Sequence, residues 1–155
     1  MRFGLGSPLS CYGDWDVTTE TTRAALDDML DAFKRGDKER FAARYHDDID
    51  WLFHAPVALF PFAGHRRGKA DVFKGYALMF QSYRLTNYQV DSILVDGDRA
   101  ATMATAQMEQ LSTGRILHSR VASFHRFKNG QVIEYRGFTD SFDSVEQTLG
   151  RELLP

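Results

Sequence analysis

Asp140, Arg136 and His54 are the residues of this chain whose types and settings could move a proton. Asp140 closes a run, residues 131–139, that alternates as a β-strand does, in a chain in which 13% of residues are aromatic. A carboxyl enclosed by rings gains proton affinity. It could then donate a proton, or in its ionised form take one from a carbon next to a carbonyl. Arg136 lies four residues earlier, on the same strand face under simple alternation, and could steady an oxyanion or keep Asp140 ionised. His54 stands near Pro56 where an earlier strand ends, a second proton carrier near neutral pH. Structural roles stay open beside each of these. An Asp between strand and helix is a favoured N-cap, Arg136 could pair with Glu134 or Glu109, and His54 could be a polar strand end.

The elements that must position these groups follow from periodicity. Thr18 to Thr22 supply N-cap hydroxyls, and Leu26, Met29, Leu30 and Phe33 recur at helical spacing as far as Gly36. Asp37 can cap a second, shorter helix that buries Phe41 and Tyr45. Residues 49–54 alternate like a strand, residues 57–64 are broken by Pro61 and Gly64 into a loop, and residues 69–81 predict a third helix. The period then changes to two. Residues 85–95, 100–111, 116–127 and 131–139 predict four strands, joined by turns at Asp96-Gly97-Asp98, Ser112-Thr113-Gly114 and Asn129-Gly130. The expected class is α+β: three N-terminal helices packed on one face of a curved, cone-shaped antiparallel sheet. Residues 18–155 form a single domain in this scheme, and residues 1–17 a loosely ordered extension.

Bulk composition narrows the function. The formal charge is −2, and the 19 Lys and Arg are scattered rather than gathered on one face, which argues against nucleic acid. The single Cys11 cannot form an internal disulfide or a cysteine metal cluster. No run approaches the roughly 18 apolar residues of a membrane span, and the start lacks an apolar signal core, so a cytoplasmic protein is expected. His118 and His125 fall on opposite strand faces, and no helical His-x-x-x-His occurs, so no metal is expected.

Met29, Trp51, Phe53 and Phe80 are expected to wall a cavity from the helices and the first strand. Ala106, Met108, Val121, Ser123, His125 and Phe138 are expected to line it from the later strands, with small Ala104 and Ala106 leaving room for a hydrophobic ligand. The opposite face, bearing Met103, Thr105, Gln107 and Glu109, is mixed in polarity and suits a homodimer contact.

The order of these pieces resembles the nuclear-transport-factor-two-like superfamily, which includes ketosteroid isomerase, epoxide hydrolases and SnoaL-like polyketide cyclases. The resemblance is carried by Arg35-Gly36-Asp37, Tyr45-His46-Asp47-Asp48, Phe62-Ala63-Gly64, Arg67-Gly68-Lys69, and the stretch from His125-Arg126-Phe127 to Asp140. The catalytic set of ketosteroid isomerase falls on Met29, Ser123 and Phe53 or His54. That of the epoxide hydrolases falls on Val121 and Ser123, with only Asp140 matching. SnoaL-like cyclases place a catalytic Asp at the end of the last strand, before a helix with a Gln-x-x-Gly ending, and Asp140 with Gln147-Thr148-Leu149-Gly150 is similar to that. The resemblance implies acid–base chemistry on a small hydrophobic carbonyl compound, without cofactor or metal. The alternative it leaves open is a module of the same fold that only binds a ligand or a protein.

Overall fold

The computed structural model describes residues 13–154, with side chains from residue 18 onward. Residues 1–12 of the expected extension lie outside the described residues. Residues 13–17 instead begin the first helix, α1 (Gly13–Arg35). Thr22, Ala25, Leu26, Met29, Leu30 and Ala32 are buried along it. That is the i, i+3, i+4, i+7 stripe of an amphipathic helix, each large apolar member contributing about 1.5–3 kcal/mol by burial. Gly36, at φ 68°, ends α1 in the left-handed region. Asp37 then accepts from Arg40 N and caps α2 (Lys38–Ala43). Arg40 bridges Asp28 and Asp31 while Arg44 reaches Asp28, so α2 is clamped onto the solvent side of α1.

Six strands follow: β1 (Tyr45–His54), β2 (Gly64–Arg67), β3 (Tyr83–Asp96), β4 (Arg99–Gln110), β5 (Ile116–Lys128) and β6 (Gln131–Thr139). Helix α3 (Lys69–Ser82) precedes β3, and α4 (Ser141–Leu149) follows β6. The strands form one curved sheet in the order β2-β1-β6-β5-β4-β3. All neighbours are antiparallel except β1 and β6, which run parallel because the chain crosses from β1 to the far edge through α3 and returns by hairpins. The α+β class and helix-covered concave face are therefore as expected from the sequence, with three changes, one being that β1 opens at Tyr45, ahead of the expected start at residue 49. The last pair joined to β1 is parallel, and β2 occupies part of the expected loop. β2 is short, polar and carried only by β1, as an edge strand tends to be. α1 and α3 cover the concave face, and the core lies between them and the inner rows of the sheet.

Candidate functional site

The site depends on one irregularity in the last hairpin. After Asn129-Gly130 the pairing runs Lys128–Gln131 and Phe127–Val132, and then jumps to Arg126–Glu134. Ile133 is the extra residue of a β-bulge, and a slip of one residue turns every later side chain to the other face. Without the bulge, Ser123 would face Arg136 and Val121 would face Phe138. With it, Ser123 faces Gly137 and His125 faces Tyr135. Tyr135, Gly137 and Thr139 therefore point inward, while Arg136, Phe138 and Asp140 point away from the cavity.

The inward rows, the two main helices and the segment around Phe60 and Phe62 enclose a cavity of about 170 Å³. Its walls are mostly rings and thioethers, with Met29, Phe33 and Tyr76 from the helices and Trp51 and Phe53 from β1. Thr102 and Ala106 keep the central strand shallow, and Ser144 and Gln147 of α4 border one end. None of the residues that line it is an Asp, Glu, Lys or Arg.

His125 is the one group of this cavity that burial holds in its neutral form by lowering its pKa. Its ring is 5% exposed, and desolvation pushes its pKa down to about 4, against some opposition from the backbone of Ala100. The imidazole is thus neutral at physiological pH, and its Nδ1 has no hydrogen-bond partner. Tyr135 meets its ring edge-on at 5.2 Å and stacks on Trp51 at 5.3 Å. The Tyr135 hydroxyl pairs with Ser123 Oγ at 3.1 Å, passing over Gly137, where an added Cβ would lie 2.6 Å from that hydroxyl. A glycine is needed at this position for the pair to form. Deeper in, the hydroxyls of Tyr45 and Tyr76 pair at 2.9 Å. Burial raises the pKa values of Tyr45, Tyr76, Tyr88 and Tyr135, so all four remain protonated. The Trp51 indole opposes part of the Tyr76 shift, yet its Nε1–H has no acceptor at hydrogen-bonding geometry. Four buried side-chain polar atoms lack a partner among the described residues: Trp51 Nε1, His125 Nδ1, Thr139 Oγ1 and Thr148 Oγ1. The first three belong to residues that line this cavity. Buried polar groups are nearly always paired, so three such atoms on the residues of one cavity are an unusual concentration.

Eight of the expected lining residues are in place: Met29, Trp51, Phe53, Ala106, Met108, Val121, Ser123 and His125. Phe80 lies on the exposed side of α3, 38% accessible, and Phe138 is 40% accessible on the outer sheet face. The expected proton carriers are not brought together. Asp140 is exposed, and its Oδ1 accepts from the N–H groups of Phe142 and Asp143 at 3.1 Å each, so the carboxylate caps α4 outside the cavity. Arg136 is on the outer face, bonded to Asp50 at 3.0 Å and Glu134 at 3.3 Å. His54 stacks flat on Phe138, 4.4 Å away, on that same outer face. Tyr135 and Thr139 were not singled out from the sequence. Their phase could be inferred only by placing the bulge, and nothing in Gln131-Val132-Ile133-Glu134 marks it. Among the described residues no group of three or more His, Cys, Asp or Glu side chains gathers as a metal site would require.

Comparison with known proteins places this geometry in a lineage. The family described as the SnoaL-like domain matches residues 26–135. A candidate isomerase from Rhodopseudomonas palustris is 33% identical, with a TM-score of 0.75 over 84% of this chain and 97% of its own. An NTF2-like protein from Burkholderia xenovorans is 21% identical, with a TM-score of 0.72 over 84% of this chain and 97% of its own. An LEH-like epoxide hydrolase of M. tuberculosis is 18% identical, with a TM-score of 0.65 over 85% and 92%. The last two likenesses show the fold alone. No curated protein matches the sequence significantly.

Proposed function

This chain belongs to the SnoaL-like domain family, and from that premise we propose that it is a cofactor-independent acid–base enzyme of the cyclase, isomerase or lyase kind. Its substrate is a small hydrophobic carbonyl compound, and His125 takes the role the sequence suggested for Asp140. The observation that carries this reading is the neutral, buried His125, with an unpartnered Nδ1, among the lining residues of a cavity that holds no Asp, Glu, Lys or Arg. A neutral imidazole can accept a proton from a carbon next to a carbonyl and return it one or more atoms away. The oxygen that gains negative charge needs donors, and the Trp51 indole N–H and the Tyr135–Ser123 hydroxyl pair belong to residues of the same wall. A conjugate acid near 4 is no obstacle, since the Asp base of ketosteroid isomerase has a pKa of about 4.6. The apolar walls lower the local dielectric, which strengthens each of these interactions.

The test is deuterium incorporation next to the carbonyl of one-ring ketones such as cyclohexanone and 2-cyclohexenone, followed by proton NMR. The protein should accelerate exchange on at least one ketone by about 100-fold or more, the low end of general acid–base effects. His125→Asn should abolish that acceleration without loss of the fold. A wild-type protein that binds these ketones yet exchanges none of them sinks the enzyme reading. It would leave the ligand-binding module, a role that the missing carboxylate in the cavity favours.

A further inference from the structure

We infer that the occupant of this cavity is an uncharged, one-ring compound bearing a hydroxyl, a phenol or a ring hydroxyketone. The inference rests on the preceding assignment of the cavity as the working site, and it adds the chemistry of the ligand.

Three independent features of the cavity lead to it. The first is charge. No Asp, Glu, Lys or Arg lines the cavity, and His125 there is neutral. An anionic ligand would give up its hydration and find no counter-charge in return. Carboxylates and phosphates are therefore excluded in favour of neutral molecules.

The second is size. A cavity of about 170 Å³ is close to the roughly 150 Å³ that accepts a single benzene molecule. One substituted ring fits in this space. A second fused or linked ring exceeds this volume and would have to leave it.

The third is the set of unpartnered atoms. Trp51 is 6% exposed and His125 5% exposed; both residues line the cavity, and each has a buried ring nitrogen without a partner. Thr139 adds an unpartnered hydroxyl. The indole N–H is a donor only and requires an acceptor on the ligand. The uncharged imidazole has one donor and one acceptor nitrogen, and the threonine hydroxyl has both capacities. A hydrocarbon satisfies none of the three. A simple ether or ketone oxygen satisfies the donors alone. A hydroxyl or enol accepts from Trp51 and donates to a nitrogen lone pair of His125, so it is the smallest group that can answer both kinds of demand.

The experiment is calorimetric titration of the full chain with four probes of matched shape: toluene, p-cresol, 4-methylbenzoate and 4-phenylphenol. p-Cresol should bind at least ten-fold more tightly than each of the other three. Trp51→Phe, Thr139→Val and His125→Phe should each erode the preference for p-cresol over toluene several-fold while leaving toluene affinity equal or improved. The inference is overturned if toluene or 4-methylbenzoate matches p-cresol in the wild type. It is equally overturned if the two-ring phenol binds better, if no probe binds, or if the folded variants keep the full preference. Failure of the enzyme reading is separable from this. A preference for p-cresol without exchange on any ketone removes the catalysis and keeps the ligand class. Exchange on ring ketones without a hydroxyl preference removes the ligand class alone.

Discussion

An imidazole enclosed by Phe127, Tyr135 and the backbone of β4 loses the water that would stabilise its cation, and His125 titrates near 4 in place of 6.5. The consequence for stability has a definite sign. Between pH 6.5 and 4 the unfolded chain binds a proton at this site and the native chain does not. The stability that His125 confers in its neutral form is therefore whole above pH 6.5 and is lost as the pH falls toward 4, on the order of 3 kcal/mol at most. Three paired carboxylates act on the acid side of this window, from their ordinary value of 3.8 downward. Asp28 is held below the usual carboxylate range by Arg44 and Arg40, Asp31 by Arg35 and Arg40, and Asp50 by His65 and Arg136, so their stabilisation is lost only at lower pH. Urea midpoints at pH 7, 5.5 and 4 should fall for the wild type, and should fall much less for His125→Phe. A ring proton shift of His125 that titrates near 6.5 in NMR would contradict the whole account of the site.

The helices and hairpins were legible in the sequence because each is marked by local chemistry. The stripe Leu26, Met29, Leu30 on α1 and the glycine-bearing turns Gly97, Gly114 and Gly130 are examples, and those glycines do adopt positive φ. The bulge at Ile133 is marked by nothing local. Its position is set by how β6 must meet both β5 and β1, and the parallel β1–β6 pair shows a register shift over the same stretch, between Tyr45 and Asp50. Simple alternation therefore carried Asp140, Arg136 and Phe138 to the wrong side, and concealed Tyr135 and Thr139. The small strand β2 was concealed in a similar way, since Gly64-His65-Arg66-Arg67 has no apolar alternation and is held by pairing with Phe53 and by the His65–Asp50 contact. Relieved of chemistry, Asp140 has a mechanical task. It caps α4, whose Gln147 side chain bonds both the N–H and the C=O of His118 and so pins the helix at one end of the cavity. Asp140→Ala should cost about 0.5–2 kcal/mol in urea unfolding and speed amide exchange along α4. Proton exchange on a bound ketone should remain. An Asp140→Asn protein that keeps its stability but loses all turnover would return the carboxylate to the reaction.

The sheet has two faces of different character. The concave face is covered by helices and holds the cavity. The convex face is bare and sets exposed apolar side chains beside a row of charges paired within the chain. Leu94 is 72% accessible, Phe124 54% and Phe138 40%, and Phe124 meets Phe138 edge-on at 6.1 Å. Beside them Arg126 pairs with Glu134, Glu134 with Arg136, Arg136 with Asp50 and Asp50 with His65, a ladder of alternating charge across β5, β6, β1 and β2. A ladder closed on itself asks for no compensating charge from a partner, and exposed rings favour burial against other apolar surface. A second copy of this chain supplies both conditions at once, since a two-fold contact sets the same patch against itself. The expected species is a dimer at micromolar concentration in sedimentation equilibrium. Phe124→Ser combined with Phe138→Ser should shift it to monomer while p-cresol binding in the cavity persists. A wild-type protein that sediments as a monomer across that range would leave this face without the partner argued for it, and a double variant that stays dimeric would place the contact elsewhere.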